Sequence, residues 1–270
     1  QLKGDWLDCI ELLDFVAISI GANIVPIVGE NRILAYFGLE QINRETGRVG
    51  VDALIDVAQR DKPLTITDVV FTIAPRINAA GRLEDAKQAV SLLVEQDRTK
   101  ADRQAAWIDK NNERRKGLDR QVTEEALAQI QSDDLNGDRS SSVVFDKNWN
   151  KGIIGIVASR LMESYYRPTV VFTESEGKAV GSARSVSDYD VYQALEACTD
   201  FLEQFGGHKY AAGMTVALDN IEAFREKFEE VVQNSIDPDL LIPHENIEME
   251  LSFDEVFQEG EFPWELPKFY

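Results

Sequence analysis

Apolar and polar residues alternate along the chain with both helical and extended periods. Residues 7–42 predict an alternation of helices and strands, and residues 51–59 predict a short helix. Residues 65–68 predict a cap and turn, followed at 69–73 by a short strand or the start of a helix. The first part of the chain is therefore predicted to mix helices with strands.

Residues 86–132 form the most regular part of the sequence. The stretch contains no proline, Gly117 is its only glycine, and it is rich in residues with high helix propensity. We predict two helices here, the second long enough to connect two domains, followed by a loop at 132–138.

Residues 142–233 read as a self-contained unit with the order β-α-β-β-α-β-α. The predicted strands are 142–145, 169–172, 178–182 and 214–217, and the predicted helices are 152–165, 191–205 and 219–233. The helix at 191–205 is expected to end at Gly206 and Gly207. Asp219 and Glu222 have the spacing of a capping box for the last helix.

Charge narrows the range of functions. The net charge is −20 over 270 residues, which excludes a surface that attracts nucleic acid everywhere but allows a local basic site. Seven bases face four acids between Lys100 and Arg120, whereas ten acids face one lysine from Ser235 onwards.

The chain is expected to be cytoplasmic. Cys9 and Cys198 form neither a metal-ligand spacing nor a disulfide framework, and a reducing compartment is the default for such a chain. No apolar run approaches the roughly 20 residues that span a bilayer, and the start lacks a signal-peptide pattern. The first residue, Gln1, suggests a fragment or a processed product.

The segment 75–82 is the first candidate for chemistry. Arg76 and Arg82 flank small residues that allow close backbone approach, and arginine donates two hydrogen bonds to a phosphate at once. Asn78 adds a neutral donor. The alternative is a loop before a helix, with arginines that pair with acids.

The segment 181–185 is the second candidate. Ser182 and Arg184 lie two residues apart at a predicted strand end, so both side chains face one side and can converge on one anion, with Ser185 nearby. The alternative is an ordinary polar transition from strand to loop.

The segment 206–213 is the third candidate. Gly206 and Gly207 present bare backbone amides, His208 follows directly, and small residues after it leave room for a ligand. The alternative is a structural histidine beside a glycine turn.

The three segments, in this order, resemble the RecJ family of DHH phosphoesterases. The runs Glu30–Leu34, Asn112–Arg115 and Trp149–Arg160 strengthen the resemblance, which extends over residues 12–234. The resemblance implies an α/β protein in four parts. These are the end of a DHH phosphoesterase domain (1–85), connecting helices (86–135), a DHH-associated domain with a mixed sheet (136–235), and a tail or the start of an OB-like domain (236–270).

The resemblance also implies an activity. Such an enzyme degrades single-stranded DNA from its 5′ end, for repair and recombination, with two Mn²⁺ or Mg²⁺ ions that activate water. Asp-His-His is absent from the sequence, and the first Asp-x-Asp, at 188–190, falls in the wrong place. At the one remaining metal position, Asn23 stands where the family usually has aspartate, and an amide binds these ions more weakly than a carboxylate. This chain is therefore predicted to bind metal poorly and to be inactive alone.

The resemblance assigns roles to particular residues. Arg76, Asn78 and Arg82 would neutralise phosphates near the scissile bond, and Ser182, Arg184 and Ser185 would bind a terminal phosphate. His208 would face the substrate together with the amides of Gly206 and Gly207. Arg82 and His208 are the predicted catalytic residues. The basic residues of the connecting helix either contact backbone phosphates or form a solvated face; they are Lys110, Arg114, Arg115 and Lys116.

Two other functions remain open. One is a DHH phosphodiesterase that acts on short oligonucleotides or cyclic dinucleotides. The other is a non-catalytic scaffold in DNA repair or replication, which Asn23 supports. The predicted partners are single-stranded DNA and other DNA-repair proteins, and no membrane.

Overall fold

A computed structural model describes residues 9–133 and 139–244, together with 247 and 250. The described chain divides into two compact units, one up to Arg115 and the other from Lys116 to Ile247. No helix in the described part is long and apolar enough to cross a membrane. Most of the predicted loop at 132–138 and most of the acidic tail lie outside the described residues, and the four-part domain division stays a prediction.

All regular elements in the described part of the first unit are helical. Its elements are α1 (Leu13–Asn23), α2 (Gly29–Ile42), α3 (Val49–Val57), a short turn (Ile66–Asp68), a π-helix (Val69–Ile73), α4 (Ala74–Leu83), α5 (Lys87–Leu93) and the beginning of α6 (Arg98–Asp133).

Two predictions for this unit are wrong. No strand occurs in the described residues 9–42, where α1 and α2 pack together instead. Short apolar runs do not distinguish a buried strand from a buried helix, and here packing decides for the helix. The alternative given for the segment 75–82, a loop before a helix, is also wrong, because the segment lies within α4, whose first turn contains Pro75. Pro75 has no N–H group to donate to the preceding π-helix, from which α4 continues directly.

The core of the first unit joins its helices. Leu54, Ile73, Leu92 and Ile108 are almost fully buried and belong to one apolar cluster. Gly38 allows α2 to approach α1 closely, since a Cβ at this position would lie 2.1 Å from the carbonyl oxygen of Leu13. The unit is thus held together by close helix packing.

The cap predicted at residues 65–68 is confirmed. The Thr65 hydroxyl accepts a hydrogen bond from the Asp68 amide at 3.2 Å, and Asp68 Oδ2 accepts from the Thr65 amide at 2.9 Å. The pKa of Asp68 is lowered, first by the backbone hydrogen bond from Thr65 and then by the bond from its hydroxyl. This reciprocal pair is a capping box.

The second unit is an α/β sandwich around a mixed five-stranded sheet. Besides the rest of α6, its elements are β1 (Ser142–Phe145), α7 (Ile154–Tyr165), β2 (Thr169–Ser175), β3 (Lys178–Arg184), α8 (Val191–Glu196), β4 (Leu202–His208), β5 (Ala211–Val216) and α9 (Ile221–Ser235). The strand order is β1-β2-β3-β5-β4, with β1 and β2 parallel and the other pairs antiparallel. The predicted α/β fold with a mixed sheet is confirmed.

The sheet has helices on both faces. Helix α7 packs on β2 and β3 on one face, whereas α8 and α9 contribute to the apolar core on the other. In that core the Phe172 and Phe224 rings meet edge to face with centroids 5.4 Å apart. On its first face, the part of the sheet beyond α7 remains open, and the candidate site lies there.

The prediction of one helix over residues 191–205 is wrong. Helix α8 ends at Glu196, a 3₁₀ turn follows at Thr199–Phe201, and β4 then carries Gly206 and Gly207. Pairing with β5 satisfies the backbone groups of this segment, so tertiary context overrides the helical pattern. The predicted capping box of the last helix is also wrong, because its N-cap is Asn220 and no side chain caps it.

Candidate phosphate-binding site

The sheet brings three of the predicted residues to one face at one level. Arg184 on β3 pairs with Ala211 on β5, and Ala211 pairs with His208 on β4. Directly paired residues point to the same face of a sheet, so Arg184 and His208 lie on either side of a small alanine. They are separated by two strand spacings, about 10 Å.

The next row of paired residues on this face consists mostly of glycine. Ser182 pairs with Gly213, and Gly213 pairs with Gly206. Both glycines are exposed, and Gly206 and Gly213 line a depression of about 310 Å³. A ligand can therefore approach the sheet closely between the polar side chains.

The beginning of α7 completes this face. A Cβ on Gly155 would lie 2.9 Å from Arg184 Nη2 and 3.2 Å from Ser182 Oγ, so the first turn of the helix directly adjoins these two groups. No side chain caps the helix start. Backbone amides and the helix dipole favour an anion at such a position, and the neighbouring guanidinium adds to the effect.

Arg184 is held in place by its own strand. Its Nη1 donates to Ser182 Oγ at 3.0 Å and to the carbonyl oxygen of Ala183 at 2.7 Å. Ser185, by contrast, is buried and donates its hydroxyl to the carbonyl oxygen of Tyr189 at 3.0 Å. This bond shapes the loop after β3, and a phosphate-binding role for Ser185 stays a prediction.

His208 lies exposed at the end of β4, where its Nδ1 accepts a hydrogen bond from the Tyr210 amide at 3.3 Å. The next residue, Lys209, pairs with Asp188 at 3.3 Å, and this hydrogen bond raises the pKa of the lysine. His208 therefore sits in a hairpin with charged neighbours, available to a ligand on the sheet face.

The two glycines before His208 differ. Gly207 has a φ of +155°, and a Cβ there would lie 2.3 Å from the carbonyl oxygen of Ala211, so the β4–β5 pairing needs glycine. At Gly206 a Cβ would meet nothing within 4 Å. The hairpin thus depends on Gly207, whereas Gly206 mainly leaves the face open.

In the first unit, the structure places Asn78 near the predicted metal position. Asn78 and Arg82 are exposed one turn apart on α4, and Asn78 Nδ2 donates to the carbonyl oxygen of Ala22 at 3.2 Å. Asn23 follows Ala22 at the end of α1. Asn78 and Asn23, far apart in sequence, therefore lie in neighbouring segments.

Arg76 is engaged with protein groups. Its Nε donates to Asp109 Oδ1 at 2.8 Å and its Nη1 to the carbonyl oxygen of Thr72 at 2.7 Å, and only 12% of its side chain is exposed. This geometry favours a positioning role for Arg76 over a direct phosphate contact. Arg82, in the last turn of α4, is exposed and also favourably placed for the helix dipole.

The described residues do not fit a divalent-metal site. Among them, no three histidine, cysteine, aspartate or glutamate side chains come together. Asn23 Nδ2 donates to the Ser19 carbonyl oxygen at 2.9 Å, which leaves one neutral amide oxygen as a ligand. One such oxygen is far from the six ligands that these ions require.

Comparison with known proteins assigns a family to the part of the chain that contains the five-stranded sheet. The model of the family described as "DHHA1 domain" matches residues 139–234. These residues form a DHHA1 domain. The match spans the whole sheet together with α7, α8 and most of α9, so the candidate phosphate-binding site lies entirely within the DHHA1 domain.

Relatives extend the similarity to both units. The chain is 37% identical over 253 residues to the single-stranded-DNA-specific exonuclease RecJ of Bacillus subtilis, and the alignment covers 93% of this chain and 32% of the relative. It is 35% identical to the Escherichia coli RecJ, covering 86% and 41% of the two chains. The predicted resemblance to RecJ is confirmed, and the chain spans less than half the length of these relatives.

Solved structures agree. RecJ from Thermus thermophilus in complex with Mg²⁺ matches with a TM-score of 0.76 at 31% identity, covering 85% of this chain and 35% of that one. Exonuclease RecJ bound to manganese matches with a TM-score of 0.72 at 32% identity, covering 85% and 56%. Divalent metals thus occur in solved relatives of this chain.

The sequence analysis missed the role of Gly155. This residue lies in the run from Trp149 to Arg160, which resembles the RecJ family. Glycines at 152 and 155 directly before a helical pattern were the available signal. Only the packing of α7 on β3 shows which side chains the helix start adjoins.

Proposed function

We propose that this chain is the substrate-binding part of a RecJ-type exonuclease that degrades single-stranded DNA from its 5′ end. In this proposal Ser182, Arg184 and the first turn of α7 hold the terminal 5′-phosphate. The observation that carries it is the proximity of Gly155 to Arg184 and Ser182, because a guanidinium and a hydroxyl there adjoin the first turn of a helix whose start no side chain caps.

The rest of the open face suits the nucleotide that follows the phosphate. Ala211, Gly213 and Gly206 form a floor without bulky side chains, and His208 stands at its edge. We assign His208 to contact the substrate from this edge, with the amides of Gly206 and Gly207 beside it. In the first unit, Arg82 and Asn78 would also bind phosphate.

Hydrolysis needs more metal ligands than the described residues provide. We propose that Mn²⁺ or Mg²⁺ serves the intact enzyme, in keeping with the relatives solved with these ions. The chain alone is then inactive, and incubation of 5′-phosphorylated single strands with the protein and Mn²⁺ should release no nucleotides. Metal-dependent turnover by the purified chain would contradict this part of the proposal.

Two further parts of the proposal concern its setting. A role in DNA repair and recombination, with other repair proteins as partners, follows from the RecJ similarity alone. A non-catalytic homologue is the second candidate function, and Asn23 favours it because the amide replaces a charged ligand. Binding without hydrolysis by the full-length protein would support that candidate.

The test of the phosphate site is a comparison of two ligands. Binding of 5′-phosphorylated and 5′-hydroxyl oligothymidylate is measured by fluorescence anisotropy for the parent protein and for Arg184→Ala. The variant should lose about tenfold to a hundredfold in affinity for the phosphorylated strand, and much less for the hydroxyl strand. Equal losses on both strands would contradict the terminal-phosphate role.

Two variants serve as references. Lys178→Ala removes one positive charge from the opposite end of the same strand and should leave the preference for phosphorylated strands unchanged. Gly155→Ala keeps Arg184 but places a methyl group 2.9 Å from Arg184 Nη2, so the guanidinium must shift. It should weaken binding of the phosphorylated strand without loss of stability, because alanine is the better helix former.

A further inference from the structure

One exposed face of α6 has no part in the proposed phosphate site. Lys100, Arg103, Trp107, Lys110 and Arg114 recur at intervals of three or four residues, and all five are exposed. At about 100° per residue they fall within an arc of about 80°, and they extend about 21 Å along the helix. We call this face the Trp107 stripe.

The stripe is positively charged in a strongly acidic chain. The stripe contains four basic side chains and no carboxylate, whereas the net charge of the protein is −20. The three acids of this part of α6 lie off the stripe. Asp102 pairs with Arg98 at 2.7 Å, Asp109 pairs with Arg76 at 2.8 Å, and Glu113 lies about 100° around the helix from the stripe centre. Four bases aligned in this way fit a polyanion.

Most of the stripe's charge is available to a ligand. Within the described residues, the side chains of Arg103 and Lys110 make no hydrogen bond or ion pair. Arg114 contacts Glu84 at 3.4 Å, but both side chains are largely exposed. Such surface pairs contribute little and are readily exchanged for a phosphate.

An aromatic ring lies among these charges. Trp107 is 38% exposed and forms one wall of a depression of about 260 Å³, which Gln88, Arg103 and Gln104 also line. Gln104 is held by a hydrogen bond to the Ser91 hydroxyl at 3.1 Å. By contrast, Trp149 is buried and its indole donates to Glu125. Trp107 thus presents a flat surface beside cations.

We propose that the Trp107 stripe is a second binding site for single-stranded nucleic acid, with a base stacked on Trp107 and the backbone phosphates held by the flanking bases. Aromatic platforms within a basic groove are the usual means of binding single strands without sequence preference. The inference extends the proposed function, since the ligand is its substrate, but it requires neither the terminal-phosphate site nor catalysis.

The test uses 5′-hydroxyl oligothymidylate, which has no terminal phosphate. Trp107→Ala should weaken its binding by about fivefold to a hundredfold, and Trp107→Phe should retain most of the affinity. Addition of the oligonucleotide should quench tryptophan fluorescence in the parent protein, and the quenching should be lost in Trp107→Phe. Unchanged affinity in Trp107→Ala would overturn the inference.

Charge reversal provides a second measurement. The double variant Arg103→Glu, Lys110→Glu should lower the slope of log affinity against log salt by about 1.4, that is about 0.7 for each lost phosphate contact. Arg120→Glu is the control, because Arg120 is exposed on the same helix about 120° around from the stripe centre. The inference would also be overturned if Arg120→Glu lowered the salt slope as much as the stripe variant does for each residue replaced.

Failure of this inference is distinguishable from failure of the proposed function. The ratio of affinities for phosphorylated and hydroxyl strands reports the terminal-phosphate site, and Trp107→Ala should leave that ratio unchanged. If quenching of Trp107 occurs with phosphatidylserine vesicles and not with DNA, the stripe is a lipid-binding face and the inference is wrong, whatever the ratio. Thermal melting of each variant confirms that it remains folded.

Discussion

The two units position their candidate residues in different ways. In the DHHA1 domain, strand register alone places Ser182, Arg184 and His208 on one face, because paired residues must point the same way. In the first unit, the candidates lie on helices, and Arg76 is turned towards Asp109 while Asn78 and Arg82 stay exposed. Alternate residues of a short polar motif therefore face the same side when the motif lies in a strand. In a helix, the residues of such a motif point to different sides.

The largest loss of stability is expected from a change that disturbs the pairing of β4 with β5. Gly207→Ala should destabilise the protein by about 3 kcal/mol, because the new Cβ meets the backbone of Ala211 and the φ of +155° disfavours a side chain. Gly206→Ala, the matched control, should change stability by less than about 1 kcal/mol. Urea denaturation measures both free energies of unfolding, and similar values for the two variants would contradict the structural difference.

The helical side of the comparison is tested at Arg76. If this arginine mainly positions α4 against α6, Arg76→Ala should cost about 1–3 kcal/mol of stability, since it leaves Asp109 and the Thr72 carbonyl without their partner. Arg82→Ala should cost about 0.5 kcal/mol, as expected for an exposed side chain.

A double-mutant cycle completes that test. Arg76→Ala and Asp109→Ala should be non-additive, because each removes the same ion pair. Strict additivity would mean that the 2.8 Å contact contributes nothing, and it would leave Arg76 available for a phosphate.

A modest loss of stability is expected when the capping box at Thr65 and Asp68 is removed. Thr65→Ala should cost about 1 kcal/mol at neutral pH. The pKa of Asp68 is lowered in the folded protein, so its contribution is present above the ordinary value of 3.8 and is lost as the pH falls through the lower folded pKa. The difference between variant and parent in urea denaturation should therefore shrink on acidification below about pH 4. A difference that stays constant across that range would rule out the carboxylate's part in the cap.

The sequence predicted the DHHA1 domain better than the first unit. The starts of strands β1, β2 and β3 and the end of helix α7 were predicted to the residue, because alternation and helical spacing are strong where one face is buried, whereas β2 and β3 run two or three residues further than predicted. The error at 191–205 arose since Leu202, Phe205 and their neighbours suit either state, and only the partner strand β5 decides between them.

Local sequence patterns were sufficient to predict the α/β character of the DHHA1 domain and the resemblance to RecJ. They also predicted that Ser182 and Arg184 face one side, because a spacing of two in a strand is a local property. Tertiary packing set the neighbours of the candidate residues. It placed His208 across β5 from Arg184, the start of α7 at Gly155 beside Ser182 and Arg184, and Asp109 against Arg76. Those contacts join distant segments, and packing selects them through shape and burial that no local pattern encodes.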